Sequence, residues 1–340
     1  MLSRTSFSLA LLAALNACSS TPTSNQGGDA EVSGSDAVTQ DVAADDVVTS
    51  GDAETPADAT APADATAPED APVVIACGSA QPTLSGIRGT EGLVIGPDGT
   101  IYYSQGGAVG RLPPGGSPEG RWVTLQGAST VWGLALDTQR QRLYVGSPAT
   151  QSIFVVDLSA STPSATTFLR SAGQPNGLTM GADGTLYYSD FGGGQVYSVS
   201  PDGMRTQITT SRISGANGVA FGPDGALYVD SYNAGSLIKL TLTDGRETAR
   251  ETVATGLGSP DGLAFDADGR IYVGDNRGRL IRLEADGSNP EVLGTGITSA
   301  ANVEFGAGAL SCTDIYVASG GTLFRYTMGT ARGAAVPWHR

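Results

Sequence analysis

Histidine is almost absent from this sequence, with His339 as its single example. Ser-His-Asp triads, HExxH zinc sites and histidine dyads all need histidine in the folded part of the chain, so these active-site classes are excluded. Lysine and arginine are also scarce, with 19 of them against 34 Asp and Glu. Nucleic-acid-binding proteins need a basic face, so we expect no nucleic-acid partner.

Aromatic residues and positive charges are both missing from residues 19–76. This segment is mostly Ala, Asp, Thr, Pro, Ser and Val, and it holds 12 of the acidic residues. A segment of this composition cannot build a core, and its acids repel one another. We therefore predict a disordered linker over residues 18–76. Residues 77–340 keep 22 acidic against 18 basic residues and are nearly neutral.

The apolar run at the N-terminus, residues 7–15, follows Arg4 and is too short for a permanent membrane span. It ends in Leu15-Asn16-Ala17-Cys18, which resembles the lipobox of bacterial lipoproteins. The resemblance implies a signal peptide over residues 1–17, lipidation of Cys18 and an envelope location. Ser19 rather than Asp follows, which makes the outer membrane the default destination. The alternative is an ordinary signal peptide cut near Ala17.

The sequence has only three cysteines, and Cys18 is assigned to the lipid. Cys77 and Cys312 would then share an oxidising compartment, where they can pair. Cys77 opens the domain and Cys312 lies in its last repeat, so a disulfide would close the domain on itself. The alternative is a pair of buried thiols.

One motif recurs six times in residues 77–340 at steps of 41 or 44 residues. The best-preserved copies read like Asn217-Gly-Val-Ala-Phe-Gly-Pro-Asp-Gly-Ala-Leu-Tyr-Val. Asp-Gly pairs mark tight hairpin turns between alternating apolar strands, and a second hairpin follows in most units. Four strands in about 40 residues form a propeller blade. The sequence therefore predicts an all-β, six-bladed β-propeller with four-stranded antiparallel blades over residues 77–340.

The first residue of each motif should begin an innermost strand and point to one channel mouth. Five of these six residues carry side-chain oxygens, and the set is Glu91, Trp132, Asn176, Asn217, Asp261 and Asn302. Carboxylate and amide oxygens that converge on one point suit a hard divalent cation such as Ca²⁺. The alternative is that these residues only cap strand starts, and Trp132 either stacks on a substrate or fills the channel.

Polar residues also recur after the second strand of each unit. They either line the upper cleft or simply end the strands. The set is Ser104, Ser147, Asp190, Asp230, Asp275 and Ser319.

The order of the motifs resembles the regucalcin/gluconolactonase family, of the senescence-marker-protein type. The resemblance covers about residues 85–330. It rests on Glu91-Gly, Pro175-Asn176-Gly, Ala216-Asn217-Gly, Pro260-Asp261-Gly, and Asn302-Val-Glu-Phe-Gly followed by Ile315-Tyr-Val-Ala-Ser.

This resemblance implies a calcium- or zinc-dependent lactonase. Glu91, Asn217 and Asp261 match the family's three main metal ligands, and Asn176 matches an asparagine that contacts metal or substrate. Asp261 would also act as the catalytic base. Family members resembling regucalcin have Arg where this chain has Gln174, so recognition of gluconate-like substrates is not expected to carry over.

Two functions follow as hypotheses. The first is a metal-dependent lactone or ester hydrolase, with Asn176, Gln174, Trp132 and Asn302 as substrate-binding residues. The second is a non-catalytic propeller that binds protein or glycan at the cell surface, because propellers serve many functions. We expect a monomer that contacts a membrane only through its lipid.

Overall fold

The computed structural model describes residues 77–334, except residues 83, 89, 296 and 330. The predicted signal peptide, Cys18, the predicted linker and His339 lie outside the described residues. Every regular element in the described part of the chain is a β-strand. No helix of this part is long and apolar enough to cross a membrane.

Apart from one separate two-stranded pair, the strands form six sheets, or blades, arranged in a ring. Innermost strands of consecutive blades contact one another, and that of the sixth blade contacts that of the first. Blades one to five each have four antiparallel strands in sequence order. After β1 (Cys77–Ala80), the strands of blades one to three are β2 (Leu93–Ile95), β3 (Ile101–Gln105), β4 (Ala108–Leu112), β5 (Glu119–Thr124), β6 (Leu134–Asp137), β7 (Arg142–Ser147), β8 (Ser152–Asp157), β9 (Ala165–Leu169), β10 (Pro175–Met180), β11 (Leu186–Asp190), β12 (Gln195–Val199) and β13 (Arg205–Gln207).

Blades four and five repeat this arrangement, and the sixth blade contains β22, β24 and β25. The strands of this half are β14 (Ala216–Phe221), β15 (Leu227–Ser231), β16 (Ser236–Thr243), β17 (Arg246–Thr255), β18 (Pro260–Phe265), β19 (Ile271–Asp275), β20 (Arg279–Leu283), β21 (Glu291–Gly294), β22 (Asn302–Phe305), β23 (Gly308–Leu310), β24 (Asp314–Ser319) and β25 (Thr322–Thr327). The predicted six-bladed propeller is therefore confirmed, with three strands in its last blade among the described residues.

The Asp-Gly turns join the first two strands of a blade, as the sequence predicts. Gly99, Gly184 and Gly225 have φ values of +91°, +81° and +77°, a region that residues with a Cβ rarely adopt. The preceding aspartate accepts a hydrogen bond from the backbone two residues on, as in Thr100 N to Asp98 Oδ1 at 2.9 Å. This side-chain bond and the glycine together fix the hairpin.

The apolar core is divided into six clusters, one at each interface between neighbouring blades. For example, Leu93 and Tyr103 of blade one pack with Tyr316 and Leu323 of blade six. Five tyrosines of the second strands are fully buried, namely Tyr103, Tyr144, Tyr188, Tyr272 and Tyr316. Stability therefore depends on blade-to-blade packing around the whole ring.

The ends of the ring are joined near the turn of blade one. Strand β1 pairs in parallel with β23, which lies between β22 and β24 in sequence. The backbone of Ala309 donates to Asp98 O at 3.2 Å, and Thr90 Oγ1 donates to Ser319 O at 2.7 Å. A disulfide joins Cys77 to Cys312 across 235 residues of sequence, which confirms the predicted pairing.

Replacing both cysteines in Cys77→Ser/Cys312→Ser should lower the free energy of unfolding by about 2–5 kcal/mol, because the link restricts the unfolded chain. Urea denaturation measures this difference. A reductant should destabilise the wild-type protein and leave the double variant unchanged. Equal unfolding midpoints for the two proteins would contradict the assignment of a stabilising role to the disulfide.

Candidate metal and catalytic site

Glycines behind the strand starts bring the innermost strands close together at the axis. A Cβ on Gly92 would overlap the carbonyl oxygen of Trp132, and one on Gly133 would overlap that of Asn176. The same conflict arises between Gly177 and Asn217, and between Gly218 and Asp261. Each glycine therefore touches the first motif residue of the next blade, so these residues form a continuous ring.

The sixth member of this ring is Ala301, whereas the sequence motif assigns Asn302 to it. The backbone N–H of Ala301 donates to Ala318 O, as that of Trp132 donates to the equivalent Gly146 O. Asn302 lies one residue further along the strand, at the position that Gly262 has in blade five. The assignment of Asn302 to the ring is therefore corrected by one residue.

The side chain of Asn302 is engaged within the protein. Its Nδ2 donates to Leu93 O at 3.2 Å, and its Oδ1 accepts from the backbone of Val303 at 2.8 Å. It therefore ties blade six to blade one. The residue also lines the central channel, and its role in substrate binding stays a prediction.

Asp261 is buried at the ring and is held by a neighbour that the sequence analysis missed. Asn276 Nδ2 donates to Asp261 Oδ2 at 3.0 Å. Burial raises the pKa of Asp261 to about 8, and the nearby Glu91 carboxylate adds to this, while Asn276 and Asn217 oppose it. Asn276 directly follows β19, the strand that pairs with the strand of Asp261. The two side chains meet because these strands form a hairpin, and no short sequence motif indicates the contact.

The Glu91 carboxylate acts on Asp261 across blade six. The ring residue between them is Ala301, whose small side chain lines the channel together with both carboxylates. Burial raises the pKa of Glu91, and its charge raises that of Asp261. Two carboxylates in such a place are unfavourable when both are ionised, unless a cation lies between or beside them.

Asn217 has a buried side-chain oxygen, Oδ1, without a hydrogen-bond partner. Behind it lies Asp230, which is fully buried and has no hydrogen bond to either carboxylate oxygen. Burial raises the pKa of Asp230 well above its ordinary value, and the charge of Asp261 acts in the same direction. Ser104 and Ser189 hold the equivalent place in blades one and three, where each accepts a backbone hydrogen bond. Asp230 therefore does not serve to end its strand by hydrogen bonding to the backbone, as the two serines do.

A further carboxylate, Glu304, lies deeper in the channel. Its register partner is Tyr316, which makes it the counterpart of Ala264, Ala220 and Thr179 in other blades. Burial raises its pKa to about 8. The sequence analysis missed Glu304. The available signal was an acidic residue at a strand position that is small or apolar elsewhere.

The channel is acidic. Glu91, Asp261 and Glu304 line it, and no Lys, Arg or His is among its described lining residues. Gly333 and Ala334 lie at the opposite end, where Ala334 N donates to Phe265 O at 2.9 Å. The C-terminal segment 331–334 therefore crosses the end away from the ring.

The remaining predicted residues separate into two groups. Asn176 is buried and Trp132 is half-buried, and both line the channel. Gln174 is exposed, lies beside Gly192 and is not among the described channel-lining residues. The structure thus brings Glu91, Asn176, Asn217 and Asp261 to one ring with Trp132, while Gln174 lies on the surrounding loops.

These residues fit a divalent cation that accepts oxygen ligands. No three His, Cys, Asp or Glu side chains of the described residues cluster tightly enough to hold a metal without help. The amide oxygens of Asn176 and Asn217 are therefore needed beside the two carboxylates. The unpartnered Oδ1 of Asn217 is a free ligand atom of the type that Ca²⁺ prefers.

The sequence profile of the SMP-30/gluconolactonase/LRE-like region matches residues 97–233 and 192–321 in two overlapping segments. The chain belongs to this family. Its ring residues Asn176, Asn217 and Asp261 fall within the matched segments, while Glu91 precedes them. Among curated proteins, none matches this chain.

Solved structures share the fold with this family member at low sequence identity. Regucalcin from Agrobacterium tumefaciens, a calcium-binding protein, is 19% identical with a TM-score of 0.62 over 78% of this chain and 98% of its own. A gluconolactonase from Xanthomonas campestris is 20% identical with a TM-score of 0.58 over 76% and 98%. Virginiamycin B lyase from Staphylococcus aureus is 16% identical with a TM-score of 0.53 over 72% and 87%.

Stability without a cation should fall as the pH rises between about 4 and 8. Asp261 and Glu304 have folded-state pKa values of about 8, above those of the unfolded chain, so their contribution is complete below the unfolded pKa and is lost on passing the folded one. Thermal unfolding in chelator across this range measures the effect. Asp261→Asn and Glu304→Gln should each flatten the curve, whereas a stability that rises with pH contradicts the assignment.

Proposed function

We propose that this protein is a divalent-cation-dependent hydrolase of lactones or esters. The observation that supports this most is the ring itself, where Glu91, Asn176 and Asp261 line a channel without a basic residue in its described lining and Asn217 contacts Asp261. Family membership supports the same reaction class. The fold alone does not choose it, because a lyase shares the architecture.

Glu91, Asn176, Asn217 and Asp261 would hold the cation, and the charges of the two acids would balance it. When bound, the cation supplies polarisation of the substrate carbonyl. Ca²⁺ is the first candidate because the ligands are all oxygen and irregularly arranged, and Zn²⁺ is the second. The calcium-binding Agrobacterium regucalcin supports this order.

The chain's own residues would assist attack by water. The Asp261 carboxylate accepts a proton as the water oxygen forms a bond to the carbonyl carbon. The carbon–oxygen bond of the lactone or ester then breaks, and the same proton passes to the departing alkoxide. Asn276 fixes the orientation of Asp261 through its 3.0 Å hydrogen bond to Oδ2.

The Asp261→Asn variant should lose at least about a hundredfold in kcat/KM on a responsive lactone, because it lacks both the charge and the proton acceptor. Steady-state hydrolysis of sugar, aliphatic and aromatic lactones, with Ca²⁺ or after chelation, measures this. The matched control is Asp268→Asn, which makes the same change at an exposed hairpin turn and should leave kcat/KM unchanged.

Metal binding is measured separately by thermal unfolding. Ca²⁺ at about 100 times its Kd should stabilise the wild-type protein by about 2.7 kcal/mol and leave Asp261→Asn nearly unchanged. A response in stability without turnover would support the second hypothesis, a non-catalytic binding propeller with structural calcium. Absence of both responses would refute the cation site and the hydrolase together.

We also propose that the protein is anchored in the cell envelope through a lipid on Cys18, with the outer membrane as its destination. The sequence Leu15-Asn16-Ala17-Cys18 supports this. Cells that express the protein should incorporate labelled palmitate into it, and Cys18→Ser should abolish the labelling. Labelling that persists in Cys18→Ser would contradict the anchor.

A further inference from the structure

Three aromatic side chains at the end of the propeller that carries the ring have no part in the core. Trp132, Phe191 and Tyr232 are each half-buried. Of the aromatic residues that the structure describes, these three alone belong to none of the six core clusters. Aromatic side chains are normally buried against apolar neighbours, so these three need another explanation.

Phe191 and Tyr232 occupy the same position in their blades as Asn276. Each follows the second strand directly and donates its backbone N–H to the segment before the first strand at 3.0 Å. The acceptors are the carbonyl oxygens of Gln174, Gly215 and Ser259. Because Asn276 reaches Asp261 from this position, the equivalent side chains of blades three and four also start beside the ring.

The three rings form a continuous row. Trp132 meets Phe191 edge to face with centroids 6.0 Å apart, and Phe191 meets Tyr232 in the same way at 5.7 Å. Trp132 also lines the channel together with Glu91 and Asp261. We name Trp132, Phe191 and Tyr232 the aromatic wall.

The opposite side of the mouth has no such residues at the equivalent positions. Blade one has Gly106 there, and blade six has Gly320. The mouth is therefore asymmetric, with rings along blades two to four and bare backbone at blades one and six. Glu91 and Ala301 lie on the bare side. A substrate that enters over blades one and six would meet the aromatic wall across the ring.

We infer that the aromatic wall binds an aromatic ring of the substrate, so that the preferred substrates are aryl lactones or aryl esters. The reaction itself rests on the proposed function. Edge-to-face and stacked contacts favour a flat ring, whereas a polyhydroxylated sugar lactone needs hydrogen-bond partners for each hydroxyl.

Binding is tested with dihydrocarbostyril, the lactam analogue of the aryl lactone dihydrocoumarin, which keeps the ring and resists hydrolysis. Titration calorimetry should detect binding to the wild-type protein. Phe191→Leu should weaken binding about fivefold, and Phe191→Leu/Tyr232→Leu should weaken it more than tenfold. Trp122→Leu, which alters an aromatic residue on the outer strand β5, is the matched control and should leave the affinity unchanged.

Activity is tested with dihydrocoumarin and δ-valerolactone, which differ in the aromatic ring. The double variant should lose at least about tenfold in kcat/KM on dihydrocoumarin and less than about twofold on δ-valerolactone. No binding of the lactam, or equal affinity in the variants, overturns the inference even where both lactones are hydrolysed. Binding by the wall without turnover of any lactone supports the inference and refutes the proposed hydrolase.

Discussion

Close approach of the six innermost strands at the axis determines the rest of this structure. The approach is possible because glycine follows the ring residue in the first five blades, and a Cβ at these places would overlap the next blade's backbone. Each ring side chain is thereby brought next to its neighbour from a different repeat. The site thus depends on backbone contact at the axis more than on any single loop.

The same close approach brings acidic side chains together without a nearby basic side chain to balance their charge. Glu91 and Asp261 face a channel without a basic side chain among its described lining residues, and Asp230 lies behind them without hydrogen bonds. Natural folds retain such arrangements mainly at functional sites, because an unpaired buried carboxylate lowers stability. These carboxylates are either protonated or balanced by a cation. Protonation prevails at low pH, and a cation is needed at high pH, where the carboxylates ionise.

The repeat makes the blades, their turns and five of the six ring residues predictable from the sequence, since hairpin chemistry and strand alternation are local. The sixth blade departs from the prediction because it lacks the glycine: Asn302 takes the place of Gly262, and Ala301 moves into the ring. Asn276 and Glu304 were missed for another reason. Asn276 reaches Asp261 only through the fold of its hairpin, which the motif does not contain. Glu304 does stand out in the motif as an acidic residue where other repeats have a small one, but its burial in the channel becomes apparent only from the strand register.

The link between Cys77 and Cys312 has a consequence for how the molecule comes apart. Open repeat proteins lose terminal units one at a time, because each unit contacts only its neighbours. Here the first and last segments are covalently joined and hydrogen-bonded, so no blade is terminal. The described domain therefore cannot unfold by fraying from a terminal blade. Unfolding must begin with the separation of two neighbouring blades inside the closed ring. A propeller so closed gains cooperativity that its repetitive sequence would not otherwise confer.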